Sequence, residues 1–294
     1  MLNRRKFLFY SALFAAGCSA TQVTESEQTT LPDPLTFAVT DIAGLEELER
    51  DYEAFRAALA EVLQTNIEFF PVDTLFTAAS ALRSGDLMFA WAGPSEYVAI
   101  EARSQAQPLI VLNRPNYYTA IFAQAESGIT SLADLESKTI DMWKVGGSTS
   151  HIGAVKLLLD AGLDPQTDVE ILMSGEDDLA LLTEGQADAL ARPPHKYERI
   201  LKEAGASPED FPIIAQGDNF PGDIFVVSSQ IDPAVVELMQ SRLLENTETL
   251  LQGIQASPEA IATKFKGSSF GAAHDADYDV VREVYQALGS KEYL

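Results

Sequence analysis

The chain has 294 residues, of which 46% are hydrophobic and 22% charged, a balance typical of a globular protein rather than a disordered one. Residues 19–294 carry 44 acidic and 17 basic side chains, because all the charged residues of 1–18 are basic, and their net charge with histidine neutral is −27. So acidic a body excludes nucleic acid as an expected partner, although salt screening over roughly 8–10 Å leaves a small anionic ligand possible.

The N-terminus has the pattern of an export signal. A basic stretch at 3–6 precedes a mostly apolar run at 7–16, which is too short to span a bilayer. Small residues then lead to Cys18, the one cysteine of the sequence. Residues 1–18 resemble a bacterial lipoprotein signal with Cys18 as the lipidated residue, and the arginine pair leaves both the twin-arginine and the general export route open. Residues 19–34 are polar without apolar periodicity, which predicts a flexible tether.

Strands and helices alternate from residue 35 onward. Apolar spacing predicts strands at 35–40, 67–70, 87–91 and 108–112, and helices at 45–63, 75–82 and from 94. This alternation favours parallel sheets flanked by helices. Ligands of such sheets bind where strands end, so the loops after these strands are candidate pocket walls.

Residues 144–151 are the strongest local signal of a binding site. Two glycines allow a sharp turn, three hydroxyl residues follow, and residues 152–161 have helical apolar spacing. The first N–H groups of a helix lack intrahelical partners and face the positive end of its dipole, so an oxyanion can collect N–H and O–H donors there. The alternative is that these hydroxyls only cap the helix.

A second run of strands and helices follows an extended apolar segment at 117–125. The predicted elements are strands at 138–142, 169–173, 189–191, 211–215 and 224–227, with helices after 131, from 152 and at 177–183. From residue 233 the pattern predicts helix to the end. Two β-α runs joined by an extended segment indicate two α/β units.

Six short motifs, in their order and spacing, carry a resemblance to a known family. They lie at 93–98, 126–135, 147–150, 162–165, 185–189 and 221–223. Together they resemble the substrate-binding components of phosphate, phosphite and phosphonate ABC importers over roughly residues 35–285. The resemblance implies an α/β, two-lobe periplasmic binding protein of type II, with ligand in the interlobe cleft. It implies lobe 1 at 35–118 and 228–294, lobe 2 at 119–227, and crossing hinge segments near 118–123 and 223–227.

The resemblance also implies ligand residues. Ser148, Thr149 and Ser150 match the family's phosphonate-gripping hydroxyls, Tyr117 matches a pocket tyrosine, and Asp223 matches an acidic residue on the returning segment. The chain departs from the family at 73–75, which lacks an aromatic residue, and at 175, which lacks a histidine. It also departs where aminophosphonate binders carry a glutamate and this chain has His195. Losing that carboxylate weakens the case for an ammonium-bearing ligand, because a cation in a closed cleft needs a paired anion.

Several other residues have two open interpretations. His195 is either a donor to the oxyanion or a solvated residue at a helix start, and Arg192 either forms a forked contact with an oxyanion or carboxylate or lies in solvent. His151 either packs in the helix start or grips ligand. His274 is either a metal ligand, on weak evidence, or an ordinary loop residue. The acids at 176–178 either form a cation site or lie at a helix start, where acids suit the helix dipole. The aromatic residues at 91, 97, 143 and 220 are expected in core or cleft wall.

The function that these patterns favour is capture and delivery of a phosphorus oxyanion, namely phosphonate, phosphite or phosphate, to a membrane permease. Closure of the cleft around the anion would favour the docking state. A sensing lipoprotein of the same fold, or a binder of another small anion, stays open. No enzyme is expected, because no nucleophile with a nearby base is evident. We expect a periplasmic monomer without cofactor or metal, held to the membrane only by its lipid.

Overall fold

The structure is a computed structural model that describes residues 29–42 and 44–290. Its strands are β1 (Leu35–Val39), β2 (Ile67–Phe69), β3 (Phe89–Ala92), β4 (Gln107–Asn113), β5 (Ala120–Ala123), β6 (Thr139–Asp141), β7 (Glu170–Leu172), β8 (Ala189–Arg192), β9 (Ile213–Gln216), β10 (Asp223–Val227) and β11 (Ser269–Ala272). Its α-helices are α1 (Leu45–Leu63), α2 (Leu75–Ser84), α3 (Pro94–Ser104), α4 (Gly153–Asp160), α5 (Ala180–Thr183), α6 (Pro194–Ala204), α7 (Pro233–Glu245), α8 (Thr247–Gln255), α9 (Glu259–Lys264) and α10 (Asp279–Ala287).

The strands form two sheets. The six-stranded sheet has the order β11-β4-β10-β3-β1-β2, and the five-stranded sheet has the order β7-β6-β8-β5-β9. The chain passes from the first sheet to the second in residues 114–119 and returns in residues 217–222. The two passages lie side by side, since Gly217 and Phe220 donate backbone hydrogen bonds to Thr119 and Tyr117.

Helix α1 shows how the predicted apolar spacing builds a core. Its side chains at three- and four-residue steps, including Leu48, Phe55 and Leu59, are at most 1% exposed. They pack against the six-stranded sheet, where Phe37 stacks on Phe89 with ring centroids 4.8 Å apart. Full burial of each such side chain is worth roughly 1.5–3 kcal/mol, so this packing fixes the sheet whose strand ends reach the cleft.

The sheets are mixed rather than parallel, which corrects the sequence-based expectation. Strands β1, β2 and β3 run parallel, but β10 runs antiparallel to β3 and β4. In the second sheet β5 runs antiparallel to β8 and β9. The physical reason is the double passage, because β5 and β10 each enter a sheet from the other one and so run opposite to strands that arrive through a helix.

Two further predictions differ from the structure. The sequence-based division counted residues 119–227 as one lobe, but β10 pairs within the first sheet, so the return occurs before Asp223. The other lobe boundaries stay a prediction. Residues after 233 are not helical throughout, since β11 adds an edge strand beside β4. Four residues with Phe270 as their single large apolar side chain are too short for a period-two pattern to show.

Candidate functional site

A cleft of about 290 Å³ lies between the two sheets, where the loops after β1, β3, β4, β6 and β8 meet. Its first wall, from the side of the six-stranded sheet, consists of Asp41, Gly93, Ser95, Glu96, Arg114, Tyr117, Asp223 and Lys264. Its second wall consists of Trp143, Lys144, Gly146, Gly147, Ser148, Thr149, Ser150, Pro193, His195 and Lys196. Ligand at strand ends is the arrangement expected of open α/β sheets.

An ion pair at the return strand dominates the first wall. Arg114 Nη1 lies 3.4 Å from Asp223 Oδ2, and both side chains are only 7% exposed. The Arg114 guanidinium also lies 3.9 Å above the ring of Tyr117. Burial raises the pKa of Asp223, while the positive charge of Arg114 opposes that rise. Burial and the nearby Asp223 carboxylate likewise raise the pKa of Tyr117, so its hydroxyl is a neutral donor.

The other charges of the first wall also have partners within it. Lys264 Nζ lies 3.2 Å from Asp41 Oδ2, and although enclosure opposes the shift, the Asp41 carboxylate raises the pKa of this lysine. Glu96 accepts hydrogen bonds from Thr40 Oγ1 at 2.6 Å and from the Gly93 N–H at 3.0 Å. Burial, then the neighbouring Asp41 charge, raises the pKa of Glu96. The first wall therefore satisfies most of its own charge.

The three predicted hydroxyls form the centre of the second wall. They lie in a π-helical turn, Ser148–Ile152, that runs into α4, and they are 9%, 6% and 3% exposed at Ser148, Thr149 and Ser150. Glycines are needed here, because a Cβ on Gly147 would lie 2.3 Å from Ser150 Oγ and one on Gly153 1.9 Å from Thr119 Oγ1. The chain therefore folds closely around the hydroxyls.

The turn leaves its donors available. Gly147 occupies the N-cap position and no side chain caps the turn, so the capping interpretation of the hydroxyls does not fit. Among the described residues, the hydroxyls of Thr149 and Ser150 have no hydrogen-bond partner. The first N–H groups of a helical turn also lack intrahelical acceptors. Hydroxyl and amide donors thus converge on one side of the cleft.

The rest of the second wall is cationic and aromatic. Lys196 Nζ lies 3.1 Å above the centre of the Trp143 ring, and Lys144 Nζ lies 5.0 Å from it. His195 opens to the cleft at the start of α6, and enclosure by the walls followed by the charges of Arg114 and Lys196 lowers its pKa to about 4. His195 is therefore a neutral hydrogen-bonding group near neutral pH.

Side-chain hydrogen bonds join the two walls. Ser95 Oγ on the first wall lies 3.0 Å from Ser148 Oγ on the second. At the passage between the sheets, Thr119 Oγ1 donates to the Thr149 carbonyl at 2.6 Å. The position of the hydroxyl turn is therefore tied both to the opposite wall and to the connecting segment.

All six side chains predicted to bind ligand line this cleft: Tyr117, Ser148, Thr149, Ser150, His195 and Asp223. Arg192 does not, because it is fully buried behind the second wall, where it contacts Asp177 at 2.8 Å and the Asp141 carboxylate at 3.4 Å. The interpretation of Arg192 as solvated is equally wrong. Sequence reasoning missed Arg114, Lys196 and Lys264, whose one visible signal was a basic residue near a strand end or a helix end.

The remaining candidates have structural roles. His151 is 6% exposed and its Nδ1 accepts the Gly146 N–H at 3.0 Å, and burial lowers its pKa to about 4. Asp177 forms salt bridges with the side chains of Arg192, Lys196 and Arg199. Asp178 accepts a hydrogen bond from the Ala180 N–H at a helix start. In residues 29–42 and 44–290 no group of three His, Cys, Asp or Glu side chains could hold a metal ion. Cys18 lies outside the described residues.

Trp91 and Tyr97 are core residues at 3% and 0% exposure, whereas Trp143 lies in the cleft wall. Phe220, which is partly buried, packs against the core near the connecting segments. Within the part of the chain that the structure describes, no helix has the length and apolar character that a membrane span requires.

Two mixed sheets with a ligand-sized cleft at their strand ends define a type II periplasmic binding protein. The chain belongs to the family described as the ABC transporter, phosphonate, periplasmic substrate-binding protein, whose model matches residues 37–278. Members of this family are binding components of transporters and not enzymes, so the chain serves in the periplasm with a small anion and a membrane permease as partners.

Solved structures of known proteins share the fold. XAC2383 from Xanthomonas citri, bound to ATP, matches with a TM-score of 0.65 and 18% identity over 88% of this chain and 98% of its own. PhnD1 from Prochlorococcus marinus in complex with methylphosphonate matches with a TM-score of 0.63 and 16% identity over 87% of this chain and 98% of its own. The alkanesulfonate-binding protein SsuA from Xanthomonas axonopodis pv. citri, bound to MOPS, matches with a TM-score of 0.57 and 17% identity over 90% of this chain and 96% of its own.

Proposed function

We propose that the protein is the substrate-binding lipoprotein of an ABC importer and captures a phosphorus oxyanion, phosphonate, phosphite or phosphate, in the cleft. One observation carries the proposal: three consecutive hydroxyls, at Ser148, Thr149 and Ser150, lie in the first turn of a helical segment on one cleft wall. Hydroxyl and N–H donors with a helix dipole behind them suit a tetrahedral anion.

The free hydroxyls strengthen this proposal. Thr149 and Ser150 are nearly buried, and in the described chain their hydroxyls have no internal partner. Both residues line the cleft, so a charged ligand oxygen can replace water as the partner of these hydroxyls. Hydrogen bonds to a charged group contribute roughly 1.5–3 kcal/mol each, so two or three of them account for a large part of a micromolar affinity.

The carboxyl groups of the first wall favour phosphorus over sulfur. Asp223 and Glu96 both line the cleft, and a carboxylate oxygen of each can accept a hydrogen bond that a ligand donates. A singly protonated phosphonate or phosphate carries a P–OH donor, whereas a sulfonate offers acceptors only. A sulfonate would place three acceptor oxygens near these carboxylates and could donate no hydrogen bond to them.

Calorimetric titration of the purified protein with methylphosphonate, phosphite, phosphate and methanesulfonate tests the proposal. We expect at least one phosphorus anion to bind, and methanesulfonate to bind at least about tenfold more weakly because it cannot donate to a carboxylate. A ligand at 100 times its dissociation constant should also stabilise the fold by about 2.7 kcal/mol. Methanesulfonate binding most tightly, or no phosphorus anion binding, would contradict the proposal.

The lipid anchor is a separate part of the proposal. Cys18 after a short apolar stretch supports export and lipidation, and the lipid chains would hold an acidic body at a membrane that does not attract it. We expect Cys18→Ser to leave the protein unanchored. If the Cys18→Ser protein still sediments with membranes after a high-salt wash, lipidation at this residue is wrong.

A further inference from the structure

We infer that the second wall holds a second anion subsite at Lys196, assisted by Lys144, so that the ligand is a phosphonate with a second anionic group. This inference rests on the proposed function, because it assumes that the hydroxyl turn binds the phosphonate group. It narrows the ligand from any phosphorus oxyanion to one with two negatively charged ends.

The first observation is the imbalance of charge between the walls. The described residues of the second wall include two lysines and no acidic side chain, whereas the first wall has two cations and three carboxylates. On the first wall both cations form salt bridges inside the wall, Arg114 with Asp223 and Lys264 with Asp41. The cations available to a ligand are therefore the lysines of the second wall.

The second observation is the position of Lys196. Its side chain is 17% exposed, and its ammonium lies against the face of Trp143. Lys196 Nζ is also 2.8 Å from Asp177, but the same carboxylate contacts Arg192 at 2.8 Å and Arg199 at 2.7 Å. Arg192 also contacts Asp141 at 3.4 Å and Arg199 lies 4.0 Å from Glu203, whereas Lys196 has no second carboxylate among the described residues. An ammonium group has three N–H donors, so Lys196 keeps donors for a ligand anion.

The indole ring and Asp177 together fix the lysine in place. A cation held against an aromatic face and a carboxylate loses little side-chain entropy when a ligand arrives. Lys144 lies at the same ring and forms no salt bridge among the described residues, although its charge acts on Asp41 and Glu96 across the cleft. Lys196 is therefore the main group of the subsite.

The third observation is the volume of the cleft. The cleft volume is about 290 Å³, whereas a water occupies about 30 Å³ in the liquid, so the cleft has space for roughly ten atoms of that size. A phosphonate group and one carbon fill about half of that space. A second group of three or four heavy atoms fits in the remainder without enlarging the cleft.

Two matched ligands test the subsite without any mutation. Phosphonoacetate ends in a carboxylate, and phosphonoacetamide has the same shape and the same phosphonate group but a neutral amide in place of the carboxylate. In calorimetric titration at one pH and one salt concentration, we expect phosphonoacetate to bind at least about tenfold more tightly, because charge-assisted hydrogen bonds are roughly twice as strong as neutral ones. Equal affinities would overturn the second subsite while leaving the proposed function intact.

The substitution Lys196→Met then assigns the effect. We expect the ratio of the two affinities to fall below about threefold in Lys196→Met. Lys202→Met, on an exposed residue at the other end of α6, removes the same charge and should keep the wild-type ratio. A ratio unchanged by Lys196→Met would contradict the assignment. Lys196→Met also removes the salt bridge to Asp177 and so affects stability, whereas Lys144 forms no such contact among the described residues. Lys144→Met is therefore the second variant, and we expect a smaller fall in the ratio of the two affinities. If neither ligand binds the wild type, the proposed function and this inference both fail.

Discussion

The two walls of the cleft use charge in different ways. The first wall pairs its cations with its own carboxylates, as in Arg114 with Asp223 and Lys264 with Asp41. The second wall presents hydroxyls, N–H groups and two lysines, and none of its described lining residues is acidic. We propose that the charges of the first wall mainly stabilise the protein, whereas the donors of the second wall mainly bind ligand.

The largest expected effect concerns the stability of the first wall. Arg114→Met leaves Asp223 buried without its cation, and breaking a buried ion pair costs about 3–5 kcal/mol. Denaturant unfolding should show this loss in the free energy of unfolding. The matched control on the second wall is Lys144→Met, which removes an exposed charge and should change stability by less than about 0.5 kcal/mol. Equal losses in the two variants would erase the difference between the walls.

A pH-dependent effect comes from behind the second wall. Burial lowers the pKa of His151 to about 4, below the value of about 6.5 in an unfolded chain. The unfolded state therefore binds the proton more tightly, and stability falls as pH drops through this window. Between about pH 7 and pH 5 we expect a loss of about 2 kcal/mol from this residue.

The matched variant is His151→Asn, whose amide oxygen can accept the Gly146 N–H but cannot titrate. Unfolding free energies of both proteins at the two pH values isolate the histidine, because other titrating groups contribute equally. Parallel pH profiles would mean that His151 is not held neutral in the fold.

The smallest expected effect concerns the contact between the walls. Ser95→Ala removes the hydrogen bond to Ser148, which contributes about 0.5–1.5 kcal/mol to the arrangement in which the walls meet. Ligand that bridges the walls should then bind about two- to tenfold more weakly. The stability of each sheet should not change, so denaturant unfolding without ligand serves as the control. Unchanged affinity would show that the hydrogen bond does not support the ligand-binding arrangement.

The walls also differ in how far the sequence predicts them. The hydroxyl turn is contiguous, so glycines, hydroxyls and a helical pattern predicted it without any knowledge of the fold. The first wall is assembled from distant residues, with sequence separations of 109 for Arg114 and Asp223 and 223 for Lys264 and Asp41. Asp223 was predicted through the resemblance to the family, while the one local signal of its partner Arg114 is a basic residue directly after a strand.

The fold shows the same contrast between features that a contiguous pattern predicts and features that depend on distant parts of the chain. The length and spacing of Leu45–Leu63 predicted α1 because its pattern is long and periodic. The antiparallel direction of β10 depends on how the chain returns from the second sheet, which no local pattern contains. Strand β11 was missed because four residues at a sheet edge give too weak a period.

The central claim, that the hydroxyl turn grips the ligand, is tested most directly by alanine substitution of each hydroxyl. Calorimetric titration with methylphosphonate, together with denaturant unfolding, should be done on Ser148→Ala, Thr149→Ala and Ser150→Ala. We predict that Thr149→Ala weakens binding about ten- to a hundredfold with little change in stability, since its hydroxyl has no internal partner in the described chain. Unchanged affinity in all three variants, with about 1 kcal/mol of stability lost instead, would contradict the account.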